Sequence, residues 1–374
     1  MIDKTLFIFG AGASKADEAP VQNELLSEIF DLLEGNNEYK CANLNQEFVK
    51  EIKDFLFKLY PISEKLEFNE FYPTFEEIMG LIHFAIIRDE SFKGISFNKL
   101  KTYIEALIAL ISYILETKLG YKAKVNRKFI KYLYEKFKDK NPINNVELNK
   151  IFINTFSFLN INYDILLDNA LNDLKEEKGV QYEYCFKVKS RFYKLKLFKP
   201  HGSLNWLLCK SCGKVKTGDY NKIALRYYHS ILYRTENNEY CSCGSDLSPL
   251  IIPPSFFKEL KNPIIQNILI NLENHLIKVK NLIFIGYSFP EADIHLKYLF
   301  KKAQLKGGFE KIILINKEGV NNSYFRNVIM TFPEVELINL TTDIPNGLEE
   351  ESIDKIIKIL FEELKHKSSE SPLN

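Results

Sequence analysis

Short, nearly continuous apolar runs punctuate this chain at residues 6–9, 155–159, 195–198, 250–252, 282–285, 312–315 and 335–340. A strand with one wet face alternates apolar and polar residues, whereas a strand covered on both faces is apolar throughout. The runs therefore predict buried parallel strands. Stretches with helical spacing separate several of them, among them 267–279 and 295–303. That alternation is the βαβ rhythm of an α/β fold with a Rossmann-like, doubly wound parallel sheet.

The rest of the chain is arranged around that rhythm. Residues 1–30 hold the first strand and a glycine turn, and 31–150 read as a helical insertion, with helix-period apolar spacing at 75–86 and 100–119. The Rossmann-like domain resumes over 151–202, a cysteine module occupies 203–248, and the domain continues over 249–345. Residues 346–374 then form an amphipathic helix, with Ile353, Ile356, Ile357, Leu360 and Leu364 on one stripe, followed by a frayed tail from Ser368. A chain of 374 residues has room for two or three domains, and 46% hydrophobic residues supply their cores.

Fifty Lys+Arg balance 49 Asp+Glu, so no global field draws the protein to nucleic acid or to an anionic membrane. The local basic run Lys187, Lys189, Arg191, Lys194, Lys196 and Lys199 reads as a solvated face, and direct nucleic-acid binding is not expected. The longest apolar stretch, 106–115, falls short of the roughly 20 residues that cross a bilayer. No targeting segment is expected either, because the first apolar run stops at Gly10; the expected compartment is the cytoplasm.

The first run ends in Gly10-Ala11-Gly12-Ala13-Ser14, a tight strand-to-helix turn of the kind that brings backbone N–H groups close to a pyrophosphate. Lys15 stands where the dinucleotide fingerprint has its third glycine, and a plain turn also needs glycine. Further polar groups fall at strand ends: Asn160-Ile161-Asn162-Tyr163-Asp164, Pro200-His201-Gly202, Gly286-Tyr287-Ser288 and Asn316. In open α/β sheets ligands bind at that edge, so these segments predict one crevice. Each has a plainer alternative, since Asn162 and Asp164 suit a helix cap and His201 suits a turn. Cys209-x2-Cys212 and, 28 residues later, Cys241-x-Cys243 form a tetrahedral set suited to structural zinc, the alternative being four reduced thiols. Cys41 and Cys185 read as core thiols, and His83, His229, His275, His295 and His366 show no ligand spacing.

Taken in order, these motifs resemble the sirtuin superfamily, and most closely the bacterial sirtuin-like NAD hydrolases of antiphage defence. Gly10–Ser14 is similar to the family's GAG(I/A)S turn, Asn162 and Asp164 to its N-x-D motif, His201-Gly202 to its HG pair, and Gly286 and Ser288 to its GxS turn. Asn316 is similar to the family's asparagine on the adenosine side, the cysteine pairs to its structural zinc module, and Glu76-Glu77 to a segment common in the defence-type proteins. The resemblance implies NAD as substrate, held by Gly10, Ala11, Gly12, Ser14, Gly286, Ser288 and Asn316. It also implies NAD depletion as a latent defence activity, controlled by a homo-oligomer or by a partner such as a HerA-type DNA translocase.

Cleaving the nicotinamide–ribose bond creates an electron-poor ribose that water attacks. The expected roles are orientation of water or of ribose hydroxyls for Asn162, support of the nicotinamide side for Asp164, and general base for His201, whose ordinary pKa near 6.5 suits proton acceptance at neutral pH. An internal adenine nitrogen in place of water would give cyclic ADP-ribose. Deacylation is the alternative activity, but the chain lacks the deacylases' Asp-Phe-Arg segment, reading Lys15-Ala16-Asp17-Glu18-Ala19-Pro20 instead. It also lacks their Phe-Gly-Glu strand, reading Ile251-Ile252-Pro253-Pro254-Ser255-Phe256. Two prolines cannot donate to an added peptide strand. A non-catalytic NAD or ADP-ribose sensor is the alternative of a different class.

Overall fold

The computed structural model describes residues 2–36, 39, 43–60, 73–119, 124–188, 193–236, 239–253, 260–317 and 322–364. Cys41, Lys189, Arg191, His366, residues 254–256 and the tail from Ser368 lie outside them. The strands are β1 Thr5–Phe9, β2 Phe156–Asn160, β3 Tyr182–Glu183, β4 Leu195–Phe198, β5 Gly202–Cys209, β6 Val215–Thr217, β7 Leu247–Ile251, β8 Asn281–Ile285, β9 Lys311–Ile315 and β10 Glu336–Asn339. The helices through the first half are α1 Ala11–Lys15, α2 Leu25–Glu34, α3 Gln46–Leu59, α4 Phe75–Ile87, α5 Phe97–Lys118, α6 Val125–Lys140 and α7 Asn145–Thr155. Those that follow are α8 Leu166–Lys178, α9 Ala224–Tyr233, α10 Pro263–Leu276, α11 Ile294–Lys306, α12 Asn322–Thr331 and α13 Ile353–Glu363.

Seven strands form one sheet in the order β10-β9-β8-β1-β2-β4-β3, and every pairing in it is parallel. The fold is Rossmann-like α/β. All five residues of β1 are buried because both faces are covered. Leu6 and Ile8 pack toward α10, α11 and α12, while Phe7 and Phe9 pack toward α6, α8 and α13, with the Phe129 ring edge-on at 5.7 and 5.8 Å. The chain leaves β1 toward β2 on one side and later returns to its other side at β8, so the sheet's topological switch point lies between β1 and β8.

Three sequence expectations change. The run at 250–252 is not a strand of the parallel sheet: β7 pairs antiparallel with β5, and β5 with β6, in a separate three-stranded sheet. Pro249 can occupy β7 because that strand is an edge. β5, whose eight residues are all buried between two cores, passes unmarked in the sequence between Pro200 and the first cysteine pair. The stretch 31–150 is also not one insertion. The described residues of α2–α5 share a core with α9 and β5, whereas α6 and α7 pack on the parallel sheet. Asp17 ties α6 down, its carboxylate accepting Lys124 N–H at 2.7 Å and Val125 N–H at 3.1 Å. The segment that departs from the deacylase pattern is thus occupied in starting a helix.

Candidate active site

The glycines after β1 and β8 are there to let two turns interlock. Gly10 and Gly12 have ordinary negative φ, but a Cβ on Gly10 would stand 2.6 Å from the Gly286 carbonyl oxygen, and one on Gly12 would stand 2.8 Å from Gly286 Cα. Gly286 itself has φ +60°. The amides of Gly10 and Gly12 are used in this joint, donating to Ile285 O at 3.0 Å and Gly286 O at 2.8 Å. Gly10, Ala11, Ser14 and Ser288 line the site, whereas Gly12 and Gly286 are packed in the joint and do not line it.

Above that joint opens a crevice of about 850 Å³, counting its mouth. Asn162, Asp164 and His201 all line it, so the segments after β1, β2, β4 and β8 do converge. Its opposite wall comes from the inserted helices, with Glu76 of α4 and Ile111 and Leu115 of α5. These helices set apolar side chains opposite the polar sheet edge. The capping box of α4 explains why Glu76 and Glu77 part company: Glu77 bonds back to Thr74 N–H, while Glu76 is buried on the crevice wall. Asn316 does not line the crevice; it is buried at the end of β9, donating to the Tyr324 hydroxyl at 2.6 Å.

A hydrogen-bond chain joins the first two strand ends. Asn162 Nδ2 donates to Gly10 O at 2.9 Å and to Ser14 Oγ at 2.8 Å, and Ser14 Oγ donates to Asp164 Oδ2 at 2.7 Å. Asp164 Oδ1 accepts Leu166 N–H at 3.0 Å, so the carboxylate also caps α8, as the plainer reading of that residue allows. Burial pushes the Asp164 carboxyl above its ordinary range, against the pull of Lys199 and the Ser14 hydroxyl.

Lys199 belongs to the basic run expected to be a solvated face, but it is fully buried. Its Nζ donates to Asp164 O at 2.6 Å, Ser203 Oγ at 2.6 Å and Asp168 Oδ2 at 2.9 Å, which satisfies all three protons. Removing one partner of such a buried pair typically costs about 3–5 kcal/mol, because the other charge is stranded. Lys199 thereby locks the His201 loop to the Asp164 loop. Gly202, at φ +83°, completes the lock, since a side chain there would run into the Leu250 carbonyl.

His201 is held at both ring nitrogens. Nδ1 stands 3.2 Å from the Ile161 carbonyl, which can only accept, so Nδ1 donates and Nε2 is left as the nitrogen that can exchange a proton. Nε2 lies 3.1 Å from His295 Nε2 and 3.5 Å from Asp293 Oδ1, and Tyr287 donates its hydroxyl to Asp293 Oδ2 at 2.9 Å. Spacing gave His295 no role, yet it sits against the site. Asp293 was also overlooked: it lies in a 3-10 turn over Glu291–Asp293 and faces the crevice. Tyr163 and Tyr287 line the same wall, their phenols pushed well up by burial and then by the carboxylates of Asp293 and Glu76.

No protein-family model matches the chain, and no curated protein matches it. What the site can do therefore rests on its own chemistry: a crevice lined by the carboxyl groups of Glu76, Asp164 and Asp293, an imidazole, and an amide held by two hydrogen bonds.

At the far end of β5 stands the cysteine cluster. The Sγ atoms of Cys209, Cys212, Cys241 and Cys243 all lie within 4.8 Å of one another, with Cys209–Cys243 at 3.5 Å and Cys212–Cys241 at 3.6 Å. Zinc–sulfur bonds of about 2.3 Å in a tetrahedron put sulfurs about 3.8 Å apart, so the four could hold a metal ion such as zinc. Cys212 N–H points at Cys209 Sγ at 3.5 Å. The Ser245 backbone brings the Cys243 thiol down to about 6, while Cys212, against the pull of the Lys214 backbone, is pushed up to about 11 by the neighbouring thiols. Cys185 is a buried thiol apart from them, pushed up to about 12 by burial.

Proposed function

We propose that the protein is a sirtuin-like NAD hydrolase, converting NAD and water to nicotinamide, ADP-ribose and a proton. The observation that carries this reading is the convergence of Asn162, Ser14, Asp164 and His201 on one crevice at the switch point of a parallel sheet. The crevice suits a cationic transition state. Glu76 and Asp293 supply negative charge, which a ribose losing electrons requires, and the α4–α5 wall keeps that charge from being screened.

In this reading His201 Nε2 takes the proton from water or from a ribose hydroxyl, and Asp293 Oδ1 stabilises the resulting imidazolium. Asn162 is locked between Gly10 and Ser14, so its amide orients the ribose or the water without having to be ordered at the moment of reaction. Asp164, bonded to Ser14 and to α8, acts by holding Asn162's neighbour in place. Ala11, Ser14 and Ser288 contact the nucleotide, and Gly10, Gly12 and Gly286 form the joint that carries them. We read the cysteine cluster as a closed, structural zinc site. We place the enzyme in the cytoplasm and take its control to come from further copies of the chain or a HerA-type DNA translocase. α13 is an unsuitable surface for such a contact, because Ile353, Ile356, Ile357 and Leu360 are buried in the chain's own core.

The test is to incubate the purified chain with NAD and follow nicotinamide and ADP-ribose. His201→Ala should lower turnover about 10²–10⁴-fold, the usual worth of a general base, and Asn162→Ala should also lower it. Full turnover by His201→Ala would remove the assigned base. NAD bound but not consumed would make the protein a sensor, and nicotinamide release only with an acylated peptide would make it a deacylase.

A further inference from the structure

We propose that His201, His295 and Asp293 form a second metal site, facing the crevice, that takes a divalent transition cation of the zinc class, and that an ion there switches the hydrolase off. The switch rests on the hydrolase reading above; the site does not. One ligand atom from each of the three residues lies within 4.8 Å of the others. At zinc-ligand bond lengths of about 2.05–2.1 Å, the 3.1 Å separation of His201 Nε2 and His295 Nε2 corresponds to a ligand angle of ~100°, and the 3.5 Å to Asp293 Oδ1 corresponds to ~115°. These straddle the tetrahedral value.

The outer shell points the same way. A ligating histidine usually donates its other ring N–H to a carbonyl, and ligating carboxylates are themselves hydrogen-bonded. His201 Nδ1 meets the Ile161 carbonyl at 3.2 Å, and Asp293 Oδ2 accepts the Tyr287 hydroxyl at 2.9 Å. His201 Nε2 and Asp293 Oδ1, held by these partners, thus face one another at 3.5 Å as two atoms able to ligate the same ion. Two imidazoles and one carboxylate leave a coordination position open, and His201 and Asp293 both line the crevice wall, where Glu76 adds negative charge. An ion on His201 Nε2 occupies the lone pair that accepts the proton, so the metal-loaded enzyme has no base.

The experiment uses the full chain, stripped with chelator and titrated with Zn²⁺ or with Co²⁺, whose visible absorption distinguishes thiolate from imidazole ligation. The expected result is a second ion beyond the one on the four cysteines. His295→Ala and Asp293→Asn should each weaken that second ion by more than about 100-fold, beyond the loss typical of an outer-shell partner, while leaving the thiolate signal intact. NAD turnover should fall as the second ion binds to the unsubstituted chain, and should not respond to that ion in His295→Ala. A single ion on the unsubstituted chain, or a second ion kept undiminished by both variants, would overturn the site. A second ion lost in both variants, from a chain that never consumes NAD at any metal level, would uphold the site and overturn the hydrolase together with its switch.

Discussion

At the scale of single residues, burial decides what each polar group can do. His275 of α10 sits beside Ser157 of β2, with Nε2 at 2.8 Å from Oγ. Ser157 donates its own proton to Thr5 O, so His275 donates through Nε2 and stays neutral. Burial, assisted by Lys196, Lys4 and Lys278, pushes its pKa down to about 3, against about 6.5 in an unfolded chain. The unfolded chain therefore binds a proton that the folded one refuses. The stability this neutral histidine contributes is complete above about pH 6.5 and is lost as pH falls from there toward 3, at up to about 1.4 kcal/mol per unit. His275→Gln keeps a donor for Ser157 without the titration. Urea unfolding measured between pH 7 and pH 4 should fall more steeply for the unsubstituted chain than for His275→Gln, and equal slopes would refute the assignment.

At the scale of elements, the site is made by turns that fit only one way. The β1 and β8 turns meet backbone to backbone through Gly10, Gly12 and Gly286, and the turn after Gly286 continues through Phe289 at φ 55°. The buried Phe289 ring, 4.8 Å from both Phe284 and Tyr287, holds that conformation, and with it the presentation of Tyr287, Ser288 and Asp293 to the crevice. Gly10→Ala should cost about 1–3 kcal/mol, as overpacking does, and should reduce NAD turnover with it. Gly35 makes a clean contrast. It is a left-handed cap at the end of α2, with φ +68° and open space around its Cα. Gly35→Asn should therefore change thermal stability little and leave turnover intact. A Gly10→Ala protein as stable and active as the parent would show that the interlock is not required.

At the scale of the whole molecule, β5 ties the two candidate sites together, since it runs from Gly202, beside His201, to Cys209 in the thiol cluster. Cys212→Ser or Cys243→Ser should drop zinc below one per chain, lower the melting temperature and, through β5, reduce NAD turnover. Metal analysis beside a thermal scan checks this, and full zinc content in both variants would refute the ligand set. Among the described residues no helix is long and apolar enough to cross a membrane. The parallel sheet was legible in the sequence because a strand buried on both faces must be apolar along its whole length, and Phe7, Phe158 and Ile283 are read that way without neighbours. The strand-end polar groups and the thiol pairs were legible too, because a turn residue and a metal ligand have local spacing rules. His295, Asp293, Lys199 and the crevice wall from Glu76 were not. Their roles depend on contacts such as Lys199 with Asp168 across 31 residues and His295 with His201 across 94, which spacing along the chain does not encode. β5 and β7 were likewise missed as a pair, since antiparallel partners are chosen by which core closes over them. The sequence alone thus determined most strands of the parallel sheet, the edge where its polar turns gather and the cysteine set, whereas only the tertiary structure decided which groups face one another there, because burial and proximity, not order along the chain, set their partners.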